Sequence, residues 1–118
     1  MTKVAIPIFQ NRISPVLDSC THILVVDIDQ SSEMERENVF LGDISLMERC
    51  SIFNKLGVRV VICGGISETF AKMLKGFNVR LINGIAGDID AVLSAFMNDH
   101  LDKPEFYMPG FKANDKRL

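Results

Sequence analysis

The sequence predicts an α/β domain: a mixed five-stranded sheet with three helices on its two faces, a three-layer α/β/α arrangement. Three observations carry the prediction. The first forty residues are built of β-type apolar runs, and after Gly42 helical and β patterns alternate. Two strand–glycine–helix junctions follow, Cys63-Gly64-Gly65-Ile66-Ser67 and Asn83-Gly84-Ile85-Ala86-Gly87-Asp88. The runs before these junctions are short, continuous and β-branched, as in strands buried on both faces.

Residues 3–9 form the first strand, with Pro7 counting against a fully paired central position because it cannot donate to a ladder. Residues 10–20 read as an irregular loop carrying Asn11, Ser14, Pro15 and Asp18. Residues 22–29 are strongly β, residues 30–34 a turn, and residues 35–41 a charged strand suited to a sheet edge. Ser45 and Glu48 have capping-box spacing, and Met47, Cys50, Phe53 and Leu56 follow on one helical face before Gly57. Residues 59–63 form the fourth strand. Ser67 caps a second helix that places Phe70, Met73 and Leu74 inward and stops at Gly76. Residues 79–82 form the fifth strand, and Asp88 caps a third helix with Ile89, Val92, Leu93, Phe96 and Met97 on one stripe. Residues 1–103 read as one domain and residues 104–118, with two prolines and a basic end, as a C-terminal tail.

Two β-α-β crossovers require parallel pairing and right-handed connections. The first three strands make an antiparallel meander, and joining the halves at strand one gives the order 3-2-1-4-5, a ribonuclease-H-like motif. The first loop and both glycine junctions then gather at one edge. Junctions of this kind present backbone N–H groups at helix starts, the usual place for an anionic ligand.

Composition narrows the function. A formal charge of −2 with no basic block argues against nucleic acid, and no apolar run reaches membrane-span length. Met-Thr-Lys passes directly into a strand-like run with no charged n-region, long h-region or cleavage site before it, which predicts no export signal and a cytoplasmic protein. Three widely spaced cysteines fit reduced thiols better than disulfides. Strand one carries no carboxylate, which excludes two-metal phosphodiester chemistry, and no nucleophile elbow, P-loop or dinucleotide fingerprint is present. The chain reads as a binder, not an enzyme.

At the ligand edge the candidates are Cys63 at the end of strand four, Cys20 before strand two, and His22 at its start. Soft thiolates select copper, zinc or iron–sulfur species, while a free cysteine is more commonly a small buried hydrophobe. Arg12 adds positive charge, Ser14 lies in the loop, and Gly64, Gly65, Gly84 and Gly87 permit close backbone approach. Cys50, on an inward helical face, reads as core, and His100 as structural.

The ordered set Val4-Ala5-Ile6-Pro7, Arg12 to Cys20, Leu56 to Ile66 and Val79 to Gly84 with Gly87 resembles the dinitrogenase iron–molybdenum cofactor biosynthesis family, with its NifX-like nitrogenase accessory factor fold, over roughly residues 3 to 98. The resemblance implies a small carrier that binds iron–molybdenum cofactor or a related metal-sulfide cluster and passes it to assembly or acceptor proteins. It implies Arg12, Ser14, Cys20, His22, Cys63, Gly64, Gly65, Gly84 and Gly87 as cofactor-binding positions, with Cys20, His22 and Cys63 as metal ligands. Many members carry a His-Phe pair just after the loop serine. Here that stretch is Pro15-Val16-Leu17-Asp18. Cys20 or His22 substitutes, or backbone and shape hold the cluster, or cluster binding is lost. The alternative is a cofactor-free regulatory or interaction module on the same fold, with residues 106–111 as its contact. Oligomeric state stays open.

Overall fold

The computed structural model describes residues 2–30 and 32–109. Over these the order is β1 (Thr2–Phe9), β2 (Arg12–Ile13), β3 (His22–Asp29), β4 (Ser32–Phe40), α1 (Leu46–Leu56), β5 (Val58–Ile62), α2 (Glu68–Gly76), β6 (Arg80–Ile82) and α3 (Ile89–Met97). A short 3-10 turn, Pro104–Phe106, follows. Residues 110–118, which include most of the expected tail, lie outside the described residues.

This is a mixed α/β fold. The sheet runs β4-β3-β1-β5-β6, with β2 beside the end of β1. The β1–β3 and β3–β4 pairs are antiparallel, whereas β1–β5 and β5–β6 are parallel. One sheet face buries Ala5, Ile23, Val25 and Val61 against Phe53, Phe70 and Leu74 of α1 and α2. The other buries Val4, Ile6, Val26 and Ile62 against Val92 and Leu93 of α3. Alternation along β1 and β3 sends neighbouring residues into different cores, which is why both strands read as unbroken apolar runs.

Several expectations need correction. The sheet has six strands among the described residues, because residues 10–13 fold back as a hairpin instead of an open loop. Gln10 (φ 52°) and Asn11 (φ 63°) both take the left-handed conformation of a two-residue type I′ turn, and Phe9 pairs with Arg12. The edge strand β4 begins at Ser32, not residue 35. Pro7 is accommodated in central β1 because it lies beyond the last β1–β5 pair, Ala5 with Val61. Its carbonyl accepts from the Ser14 N–H at 2.9 Å. Met47 is exposed, and the buried positions of α1 are Arg49, Cys50 and Phe53. Gly76 stays inside α2, and the left-handed residue that turns the chain is Asn78 (φ 62°).

The helix starts follow from local chemistry. Ser45 accepts from the Glu48 N–H, Ser67 from the Phe70 N–H, and Asp88 from the Asp90 and Ala91 N–H groups. Gly57 (φ 78°) ends α1. Because β1, β4, β5 and β6 run one way and β3 runs back between β1 and β4, residues 10–21, 41–45, 63–67 and 83–88 all lie at one end of the sheet.

Candidate functional site

At that end the chain after β5 is overlaid by residues 14–18. Gly65 donates to the Pro15 carbonyl at 2.7 Å, and Leu17 donates back to the Gly65 carbonyl at 2.9 Å, a short parallel bridge. The approach is so close that a Cβ on Gly64 would stand 2.7 Å from the Pro15 oxygen. Gly64 is therefore required by contact with the backbone of another segment, and its own φ is not in the left-handed region.

The second glycine turn is held by a different set of partners. Gly84 donates to the Gly64 carbonyl at 2.8 Å and Ile85 to the Cys63 carbonyl at 3.0 Å, so the two turns are tied together. Ile13 donates to the Gly87 carbonyl, Ile89 to the Asn11 carbonyl, and Ala86 to the Phe106 carbonyl. Met108 donates to the Gly84 carbonyl, so residues 106–108 seal this turn from outside. Gly84 (φ 77°) and Gly87 (φ 136°) supply backbone conformations that other residues rarely adopt.

These bonds correct one expectation. The N–H groups of Gly65, Ser67, Gly84, Ile85, Ala86 and Ile89 do not await a ligand; each is bonded within the chain. At the start of α2 the anion is supplied internally. The Asp18 carboxylate accepts from the Ser67 N–H at 2.8 Å and from the Ser67 hydroxyl. A buried backbone donor needs a partner, and the covering segments provide it.

Beneath this cover lie two thiols. Cys63 is fully buried and Cys20 nearly so, both in the core between the sheet, α1 and α2. Burial pushes the Cys63 thiol up to about 12, with the nearby Asp18 carboxylate and Cys20 adding to the shift. Burial also raises Cys20, opposed by the adjacent Arg49 guanidinium. Both thiols are protonated at neutral pH in this closed arrangement, so neither is a ready nucleophile.

Arg49 is the functional-end residue that sequence reasoning missed. Its guanidinium is buried and donates to the carbonyls of Cys20 (2.6 Å), Gly42 (3.1 Å) and Ile44 (3.3 Å). Its Nη1 also lies 3.6 Å from Cys20 Sγ. The available signal was spacing: Arg49 stands one turn before Phe53, on the buried side of α1.

The other candidates stand apart from the thiols. His22 is exposed, 2.9 Å from the Thr21 hydroxyl, with its ring 5.1 Å from that of Phe40. Its place in β3 matches Leu24 and Val26, on the face opposite Cys20 and Cys63. Arg12 is exposed on β2, its backbone bridged to Asp88, and Ser14 is half-buried. Cys50 is buried in α1 with its thiol raised by burial. Among the described residues no three of the His, Cys, Asp and Glu side chains stand together as a metal site. A cleft of about 310 Å³ opens elsewhere, along β6 and Phe96, Leu101 and Asp102.

The model of the family described as "Dinitrogenase iron-molybdenum cofactor" matches residues 1–99. Among solved structures, the provisionally named dinitrogenase of Methanocaldococcus jannaschii is 28% identical, with TM-score 0.70 over 83% of this chain and 89% of that one. The apo form of the orange protein from Desulfovibrio gigas shares the fold at 15% identity, with TM-score 0.71 over 85% and 90%. A provisionally named NifB protein from Thermotoga does so at 17%, with TM-score 0.67 over 93% and 100%. No curated protein matches the chain significantly.

Proposed function

We propose a carrier function, because the chain belongs to the dinitrogenase iron–molybdenum cofactor family. Membership points to an accessory role in iron–molybdenum cofactor biosynthesis. The finer reading is that this chain is non-catalytic and cytoplasmic, takes an iron–molybdenum or related metal-sulfide cluster as cargo, and delivers it to an assembly or acceptor protein. The ribonuclease-H-like layout belongs to the same reading, serving as a holder, since β1 offers no carboxylate for metal-dependent hydrolysis.

One observation supports it above the others. Cys20 and Cys63, from segments 43 positions apart in sequence, sit in one buried cluster at the loop end of the sheet, close enough for one to raise the other's pKa. Soft thiolates suit a metal-sulfide cargo, and α2 begins beside them with its amide already holding a carboxylate. Ligation requires both thiols to lose their protons and the cover over them to move. A second reading, a cofactor-free interaction module, is favoured by the exposed apolar side chains Phe9, Val16, Phe40 and Met47, all at this same end.

The test is to purify the protein without oxygen, challenge it with a molybdenum–iron–sulfur cluster, and record metal content and the visible spectrum. Stoichiometric metal with sulfide-to-metal charge-transfer bands is the expected result. A colourless protein that takes up no metal overturns the carrier reading and leaves the interaction module.

A further inference from the structure

Three helices begin at the loop end or near it, and their starts are secured in two ways. Ser45 with Glu48 and Asp88 with its own first turn are local caps, made within three residues. The start of α2 has a local cap as well, since Ser67 Oγ accepts from the Phe70 N–H. It carries in addition the Asp18 carboxylate, from 49 residues earlier in the chain, on both the amide and the hydroxyl of Ser67. The cap of α2 is thus complete without Asp18. What Asp18 adds is a tie between two segments.

The tied segment is the cover itself. Residues 15–17 lie on Gly65 through the Pro15 and Leu17 backbone bonds, and the Leu17 side chain is wholly buried in the core cluster that holds Cys20 and Cys63. Between β2 and β3, the bonds that hold this cover down on the start of α2 are those two backbone bonds and the Asp18 pair. Asp18 is also close enough to Cys63 to act on it electrostatically.

We propose that Asp18 is a releasable latch, holding residues 14–18 over Cys20 and Cys63, and that displacing it from Ser67 opens both thiols and the α2 N-terminus together. Its purpose rests on the carrier reading above; its existence rests on the geometry alone. An anionic cargo is the natural displacing agent. It competes with the carboxylate for the same amide and hydroxyl of Ser67. Loading and opening are then one event, and the empty protein keeps its thiols out of solvent.

The experiment is maleimide labelling of the metal-free full-length protein under native conditions, with each cysteine quantified by mass spectrometry. Labelling of a buried thiol tracks the population of the open form when closing is fast. Asp18→Asn should accelerate labelling of Cys20 and Cys63 about tenfold, the size expected for losing a hydrogen bond to a charged group, while Cys50, buried in α1, keeps its wild-type rate. Ser67→Ala, which retains the amide donor, should give a smaller rise at the same two positions. Unchanged labelling in Asp18→Asn overturns the latch. So does parallel acceleration of all three cysteines, which marks general loosening. Cluster loading separates the two ideas: latch behaviour in a protein that takes no cluster refutes only the carrier, and cluster uptake with thiols already open in the wild type refutes only the latch.

Discussion

The two glycine turns at the loop end look alike in sequence and are sealed by different physics. The turn at Gly64 is closed by two backbone bonds to residues 15 and 17, by a close approach in which the Pro15 oxygen leaves no room for a Cβ, and by a side-chain clasp that the other turn lacks, Asp18 on Ser67. The turn at Gly84 to Gly87 is closed by its own backbone conformation and by backbone partners on residues 11, 13, 106 and 108. Side-chain clasps can be exchanged for another ligand at little cost to the fold, whereas ladder bonds cannot. The thiols lie under the exchangeable cover. On the proposed carrier reading, that difference gives the first turn to ligand traffic and the second to holding the sheet end together.

The largest effect should come from the residue that anchors the far side of the first cover. Arg49→Met removes three bonds to carbonyls, one buried and two part-buried, costing about 3–4 kcal/mol; urea unfolding measures it, and Arg49→Lys should recover only part because it cannot span three acceptors. Gly64→Ala should cost about 2–3 kcal/mol through overpacking against Pro15. Gly65→Ala, at 3.3 Å from the same oxygen, should cost less. Gly87→Ala should cost about 2 kcal/mol by conformational strain at φ 136°. The comparison sharpens with thiol labelling of these variants: Gly64→Ala should open Cys63, while Gly87→Ala should not.

A further effect appears only at high pH. The Cys63 thiol is raised from 9.0 to about 12 in the folded chain, so the unfolded chain loses that proton first. The contribution is complete below pH 9 and is lost as pH climbs from 9 towards 12, so stability should fall across that window. Cys63→Ala should flatten the fall, as followed by urea midpoints at several pH values. Smallest of all, Lys72→Ala breaks an exposed pair with Glu68 on the surface of α2, and its midpoint should match the wild type.

Much of this was legible in the sequence because it rests on local rules. Ser45, Ser67 and Asp88 announce helix starts by type and spacing, and β-branched runs announce the central strands of a mixed sheet. The meeting of Cys20 with Cys63 follows from strand direction. The β2 hairpin was hidden because Gln10-Asn11 lacks the glycine that usually marks a type I′ turn. Asp18 was invisible as a clasp because 49 residues separate it from Ser67 and no spacing rule links them. Arg49 was passed over because a charged residue on a helix is ordinarily solvated; here three carbonyls replace the water.

The central claim is that cargo is held by the thiols under the first turn. The most direct measurement is metal and sulfide stoichiometry after anaerobic loading, comparing the wild type with the Cys20→Ser/Cys63→Ser double variant. The account predicts a stoichiometric cluster on the wild type and its loss, or a steep fall in affinity, in the variant. Equal stoichiometry and affinity in the two proteins would contradict it.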